Sequence, residues 1–364
     1  MKRNKTWMMM TVGVALMSLA ACSTDDNEAS NGSAAQQLEI HLSSSSIVAD
    51  TRSYTATNLQ NGDTVYVWTA MVNGSTGAVS DYFNAWTLMA NGVGGLTPQS
   101  AGNTKLFPAT NALNFYAMVG NFGLVTEGPR EGLPMIESEV AAIPATGILH
   151  TVNADQTTAT AYFQSDLLYA VKKNQEPIAE AVQLPFIHML SRIQVVLVAG
   201  NGITASDLTA NTTSVKLHQL ERQVIFRPDT ALNYTLQASR AAMLALPAQN
   251  EGQIDDILMT TNVVGSNDAA TDPGSTVYAD AIIVPQTVAA GTTLLKVSYL
   301  GRDTEWKVPA GGLTFESGKQ YRFRLTADRI GETYELSSVT MESWGANTTE
   351  AAWFDTITSE ENKQ

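Results

Sequence analysis

The chain holds a single cysteine, Cys22, in 364 residues, so an intramolecular disulfide and a cysteine-built zinc or iron–sulfur site are both excluded. Histidine is scarce as well: His41, His150, His188 and His218 stand far apart and never at the i, i+4 spacing of a helical zinc site. Basic residues are outnumbered, with 21 Lys and Arg against 35 Asp and Glu for a net charge of −14. A field of that sign repels phosphate backbones, which excludes nucleic acid as a partner. Charged residues make up only 15% and hydrophobic ones 44%, so a disordered polar chain is excluded too and a real core can be buried. Beyond residue 22 no apolar run approaches the length of a membrane helix, about 18–20 residues. There is also no G-x-S-x-G elbow, Walker loop or H-E-x-x-H helix, and nothing calls for a metal or a cofactor.

What is present begins at the N-terminus. Lys2, Arg3 and Lys5 form a positive region ahead of the apolar stretch Trp7 to Ala21, too short to span a bilayer and suited to a secretory signal. The run Leu19-Ala20-Ala21-Cys22 resembles a bacterial lipobox, in which the cysteine thiol is acylated and becomes the mature N-terminus. This predicts a signal peptide over 1–21 and lipidation at Cys22; a plain signal peptide with an accidental cysteine is the alternative. Ser23-Thr24-Asp25-Asp26-Asn27-Glu28 is similar to the acidic tract that sends Bacteroidales lipoproteins to the outer face of the outer membrane. Residues 22–37, rich in Ser, Ala, Asn and Gln, suit a lipidated flexible tether.

Past the tether the dominant period is two. Leu38-Glu39-Ile40-His41-Leu42 alternates strictly, as do Val65 and Val67, and Tyr321, Phe323 and Leu325. Other apolar runs are short and bounded by Gly, Asn, Asp or Pro, which predicts mostly antiparallel sheet. Helical candidates are few, Glu131–Ala142 and Ser239–Leu246, each closed by a proline, Pro144 or Pro247. The expectation is an all-β chain with small helical insertions, organised as two β-sandwich domains over 38–180 and 181–345 with a C-terminal tail over 346–364. The boundary is placed in the polar stretch Lys172–Val182, with a margin of about ten residues.

The segments that invite a chemical reading mostly have a plainer one. Gly92-Val93-Gly94-Gly95 lacks the third dinucleotide-binding glycine and reads as a loop. Asn267, Asp268 and Asp272 lack the spacing and closing glutamate of a calcium loop and read as a turn. Asp255-Asp256 would face opposite sides of a strand, and a solvated turn is the better account. Trp68, Trp86, Trp306, Trp344 and Trp353 could stack on sugar rings, but tryptophan in strand-like surroundings favours the sandwich core. His188, flanked by apolar residues, suits a hydrogen-bonded structural role.

Several ordered segments together resemble the fimbrillin-like (Mfa-like) family of Bacteroidales surface lipoproteins. They are Thr51-Arg52, Asn61-Gly62-Asp63 before VYVW, Leu106-Phe107-Pro108 before NFYAMV, Asp166 to Ala170, Leu184 to Ile193, Ile283 to Gln286, Phe315 with Gly318 to Tyr321, and Trp344-Gly345. The resemblance implies two transthyretin-like sandwiches and a structural or adhesive subunit of a cell-surface fimbria, with no enzymatic activity. Implied partners are other fimbrial subunits, the outer membrane through the lipid anchor, and a host or bacterial surface ligand. It further implies assembly by strand exchange after trypsin-like cleavage at an arginine near the mature N-terminus, a form of β-augmentation. Arg52 fits that arginine, at the end of the largely polar connection from Ser43. The strand removed would be the one carrying Leu38, Ile40 and Leu42, expected to fill a sheet edge and to contribute roughly 5–9 kcal/mol of gross apolar burial. Donor candidates are Val339 with Met341, and the tail with Trp353 and Ile357, where Asp355 interrupts the apolar face. The rival reading is a monomeric surface lipoprotein that binds a carbohydrate or host ligand.

Overall fold

Among the described residues, runs of alternating polarity condense into five sheets with two short α-helices between them. The structure is a computed structural model, and it describes residues 37–45, 59–124, 147–208, 213–247, 252–261, 275–330 and 333–337. Glu131–Ala142 lies outside the described residues. The first nine strands are β1 (Leu42–Ser45), β2 (Thr64–Val72), β3 (Val79–Ala90), β4 (Gly95–Pro98), β5 (Ala112–Val119), β6 (Ile148–Thr151), β7 (Leu168–Gln175), β8 (Val182–Pro185) and β9 (Ile187–His188). All but β6 join one eight-stranded sheet in the order β8-β1-β4-β3-β2-β5-β7-β9. Its two outermost strands are separated in the chain by Phe186 alone, so the sheet must curl until its ends meet.

The curled sheet is apolar on both surfaces at its centre. Val65, Val67, Phe115, Ala117 and Ala170 share one core with Ile40, Leu42, Leu184 and Phe186. The alternate residues Tyr66, Trp68, Tyr116, Met118 and Tyr169 enter a second, larger core with the C-terminal half. Every residue of β5 is buried for that reason.

In the C-terminal half, β10 (Ser191–Ala199), β15 (Thr260–Thr261), β16 (Ser275–Ile283), β21 (Gln320–Ile330) and β22 (Thr333–Ser337) form a five-stranded sheet. A four-stranded sheet is built from β11 (Ser214–Glu221), β14 (Ile254–Leu258), β18 (Thr293–Tyr299) and β19 (Arg302–Lys307). These two share the larger core, where the rings of Trp306 and Phe323 meet edge-on with centroids 5.6 Å apart. Strand β12 (Gln223–Phe226) lies between β13 (Leu244–Ala245) and β6, and β17 (Thr287–Val288) pairs with β20 (Leu313–Thr314). The eight-stranded sheet thus draws on residues 42–188 and the others on 191–337, with β6 as the exception.

Two ladders depart from the antiparallel expectation: β1 runs parallel to β8, and β10 parallel to β21. Both join segments more than a hundred residues apart in sequence, where no hairpin constrains the direction. Helix α1 (Ala159–Gln164) was not anticipated, although Thr158 marks its start by accepting from the Ala161 amide at 3.2 Å. Helix α2 (Gln237–Ala242) is shorter than the expected Ser239–Leu246, because Leu244 and Ala245 leave it to pair with β12.

Candidate functional site

Strand β1 and the four residues before it form an inlaid segment. Ser44 donates its amide to Gly94 at 2.8 Å, and the Ile40 amide reaches the Lys105 carbonyl at the same distance on the same side. On the other side the Val182 amide donates to His41, and Leu42, Ser43, Ser44 and Ser45 lie beside Val182, Gln183, Leu184 and Pro185. The segment is therefore an interior strand between β4 and β8, not the edge expected from its sequence. Residue alternation explains the choice of face: Ile40 and Leu42 are 2% and 3% exposed, whereas Glu39 and His41 face solvent. Leu38 is 39% exposed, so it is not the third buried side chain. That place belongs to Ser44, 6% exposed, whose hydroxyl reaches only the Gly94 carbonyl at 3.5 Å. The gross apolar burial of the segment falls accordingly to two side chains, about 3–6 kcal/mol.

The loop that receives Ser44 is the glycine-rich one. Asn91 Oδ1 accepts from the amides of Val93 and Gly95, at 3.0 and 2.9 Å, and Gly94 adopts a φ of +97° that a side chain disfavours. Its role is to present a carbonyl to β1.

Elsewhere the residues with chemical potential are committed to structure. Trp68, Trp86 and Trp306 are buried, and the Trp86 indole donates to Asn103 at 2.8 Å. His188 Nδ1 meets Asp166 at 2.5 Å, as its apolar setting suggested. Asp255 and Asp256 lie on β14 rather than in a turn, and they do face apart: Asp255 pairs with Arg222 at 2.7 Å and Asp256 with His218 at 2.6 Å. Burial would raise the Asp256 carboxyl, but hydrogen bonds from Gln219 and His218 outweigh it and hold the group down to about 2. A groove of about 330 Å³ beside α2 and β13 is lined in part by Gln286, whose amide is already spent on the backbone of Glu221 and Val284.

Two buried polar groups escaped sequence reading. Arg192 grips Asp280 through Nε and Nη2, both at 2.6 Å, with Gln194 adding a bond to the same carboxylate at 3.3 Å. His150 is wholly buried, its Nε2 on the Ser165 carbonyl at 2.9 Å. Their only sequence signal is a polar residue within an apolar run, which does not reveal the partner. Cys22, Arg52, Val339, Met341, Trp353 and Ile357 lie outside the described residues, as do Trp344 and the Asn267–Asp272 turn. Among the described residues no helix is long and apolar enough to cross a membrane, and no cluster of His, Cys, Asp and Glu suits a metal.

Comparison with known proteins adds the following. A solved protein described as a putative cell adhesion protein from Bacteroides uniformis ATCC 8492 is 16% identical, covering 87% of this chain and 100% of its own, with a TM-score of 0.52. Another so described, from Bacteroides ovatus ATCC 8483, is 15% identical, covering 85% and 98%, with a TM-score of 0.55. The fimbrial anchor protein Mfa2 from Porphyromonas gingivalis is 13% identical, covering 85% and 98%, with a TM-score of 0.35. None of the curated proteins matches the chain. At such identities the two Bacteroides likenesses speak for the fold alone, the all-β architecture described above. The family profile is more direct: it spans residues 51–344, and the chain accordingly belongs to the fimbrillin-like family of non-enzymatic structural proteins.

Proposed function

We propose that this chain is a surface-anchored fimbrial subunit, tethered to the outer membrane by acylated Cys22, that assembles by exchanging its first strand. The observation that carries the reading is the place of β1: a short segment at the start of the described chain threads between β4 and β8 with backbone bonds on both flanks. Its removal would leave two facing rows of backbone groups over an apolar floor, the geometry that strand addition satisfies. Cleavage at Arg52, beyond β1, would free the segment. The incoming strand would come from another subunit, its donor being either Val339 with Met341 or the tail with Trp353 and Ile357. Membership of a fimbrillin-like family supports the fimbrial setting, and the description of two similarly folded proteins as putative cell adhesion proteins supports contact with a host or bacterial surface. The sandwich domains 38–180 and 181–345 would be the units carried in the polymer.

The competing reading is a monomeric surface lipoprotein that binds a carbohydrate or host ligand, and its carbohydrate form is weakened because Trp68, Trp86 and Trp306 spend their rings inside the protein. Mild trypsin treatment of the purified precursor separates the two. Cleavage after Arg52 should release the first strand and yield higher oligomers, and Arg52→Ala should block both. Oligomers forming equally well from the Arg52→Ala protein would refute the mechanism.

A further inference from the structure

The inlaid segment is gripped unevenly along its length. At its N-terminal end Ile40 donates its amide to the Lys105 carbonyl and Leu38 accepts from the Phe107 amide, each at 2.8 Å, and the side chains of Ile40 and Phe107 share one core. Two residues on, Leu42 lies beside Leu96 on β4 and Val182 on β8, both in that core. Past Leu42 the grip weakens. The last three residues of β1 are Ser43, Ser44 and Ser45, and none has an apolar side chain to bury. Ser44 is buried nonetheless, and the acceptor for its hydroxyl, the Gly94 carbonyl at 3.5 Å, already takes the Ser44 amide at 2.8 Å. A hydroxyl withdrawn from water for so long a bond recovers little of its lost hydration. The backbone ladder also stops here. Every second amide of β8 faces β1, beginning with Val182 onto His41, but Phe186, third in that series, bonds the Leu184 carbonyl of its own segment at 3.1 Å. Either end of a short strand can fray, so position alone favours neither; side-chain burial and backbone bonding both decline toward Ser45.

We propose that the first strand leaves its channel by peeling from the Ser45 end, the end nearest Arg52, and that Ser44 is the residue that keeps it detachable. This rests on the strand-exchange reading and adds an order of events to it. Cleavage beyond β1 frees the weakly held end, so the channel opens first beside Leu184 and Gly94, while Ile40 and Leu42 still cover its apolar floor. The floor is then uncovered stepwise and is never bared to water all at once. An apolar residue at position 44 would remove the weak point and hold the cut end in place.

Amide hydrogen exchange on the uncut full-length chain, resolved residue by residue, tests the order. Protection at Ser44 should be about tenfold or more below that at Ile40 and at Phe107, whose amide bonds Leu38. Ser44→Ala, which deletes the hydroxyl without adding bulk, should raise protection at residue 44 about threefold or more. After trypsin cleavage it should slow departure of the segment by a similar factor, followed by mass under a chase of excess synthetic peptide 37–52. Equal protection along the segment, or lower protection at Ile40, would overturn the peeling order whether or not oligomers form. Unchanged protection and unchanged departure in Ser44→Ala would overturn the role of Ser44. Cut protein that loses the segment in the expected order yet forms no oligomer would instead overturn the strand-exchange reading and support the peeling order.

Discussion

His150 is wholly buried and keeps its imidazole neutral: burial pushes its pKa from 6.5 down to about 4, against the smaller upward pull of the Ser165 carbonyl and the Asp166 charge. Nε2 bonds the Ser165 carbonyl, and Nδ1 has no hydrogen-bond partner, so a second proton has nowhere favourable to point. The folded state thus binds fewer protons than the unfolded chain between these two values. Stability contributed here is complete above pH 6.5 and is lost as the pH falls toward 4, by about 3 kcal/mol in total. His150→Gln, which can retain the donor to Ser165, should flatten the decline in denaturant-measured stability between pH 7 and pH 4.5. The Arg192–Asp280 pair makes a different demand. Both side chains are almost fully buried, so Asp280→Asn should cost about 3–5 kcal/mol in urea unfolding, while Arg192→Met with Asp280→Leu should restore much of it.

At the scale of elements, β1 gives the sharpest contrast. Leu42 is 3% exposed and Leu38 is 39% exposed, although both fall on the apolar side of one alternating stretch. Leu42→Ala should therefore destabilise by about 2–4 kcal/mol and Leu38→Ala by less than about 0.5 kcal/mol, read as shifts in thermal unfolding. Glutamine side chains bind other elements together. Gln156 Nε2 donates to the Ile282 carbonyl at 2.8 Å and its Oε1 accepts from the Ile282 amide at 2.9 Å, so one side chain satisfies the edge of β16 as a strand would. Gln286 does the same for Glu221, with bonds of 3.0 Å in each direction. Neither role is legible beforehand: a buried glutamine and an exposed one are identical in sequence, and only the position of an unpaired backbone segment distinguishes them.

For the molecule as a whole, stability depends on a first sheet buried on both surfaces and closed on itself at Phe186. Trp68 and Phe186 lie in the two different cores, 4% and 1% exposed. Trp68→Ala and Phe186→Ala should each cost about 3–5 kcal/mol, and because the cores are separate, the double variant should be nearly additive by denaturant titration. Additivity failing by several kcal/mol would mean that the two cores act as one.

Much of this was readable without coordinates. Period-two alternation located β2, β21 and the inlaid first strand, the aromatics Trp68, Tyr169, Phe186, Tyr321 and Phe323 are buried as their surroundings suggested, and the ordered motifs pointed to the fimbrillin-like family. Such signals are local: they report that a face is buried, which depends on the residues of one segment. Tertiary structure alone decided that β1 is interior, that it runs parallel to β8, that Ser44 rather than Leu38 takes the third inward position, and that Asp255 and Asp256 stand on a strand. Each of these depends on which distant segment lies alongside. Pairing between residues 42 and 182 is set by competition among many apolar strands for the same neighbours, and no stretch of sequence carries that comparison by itself.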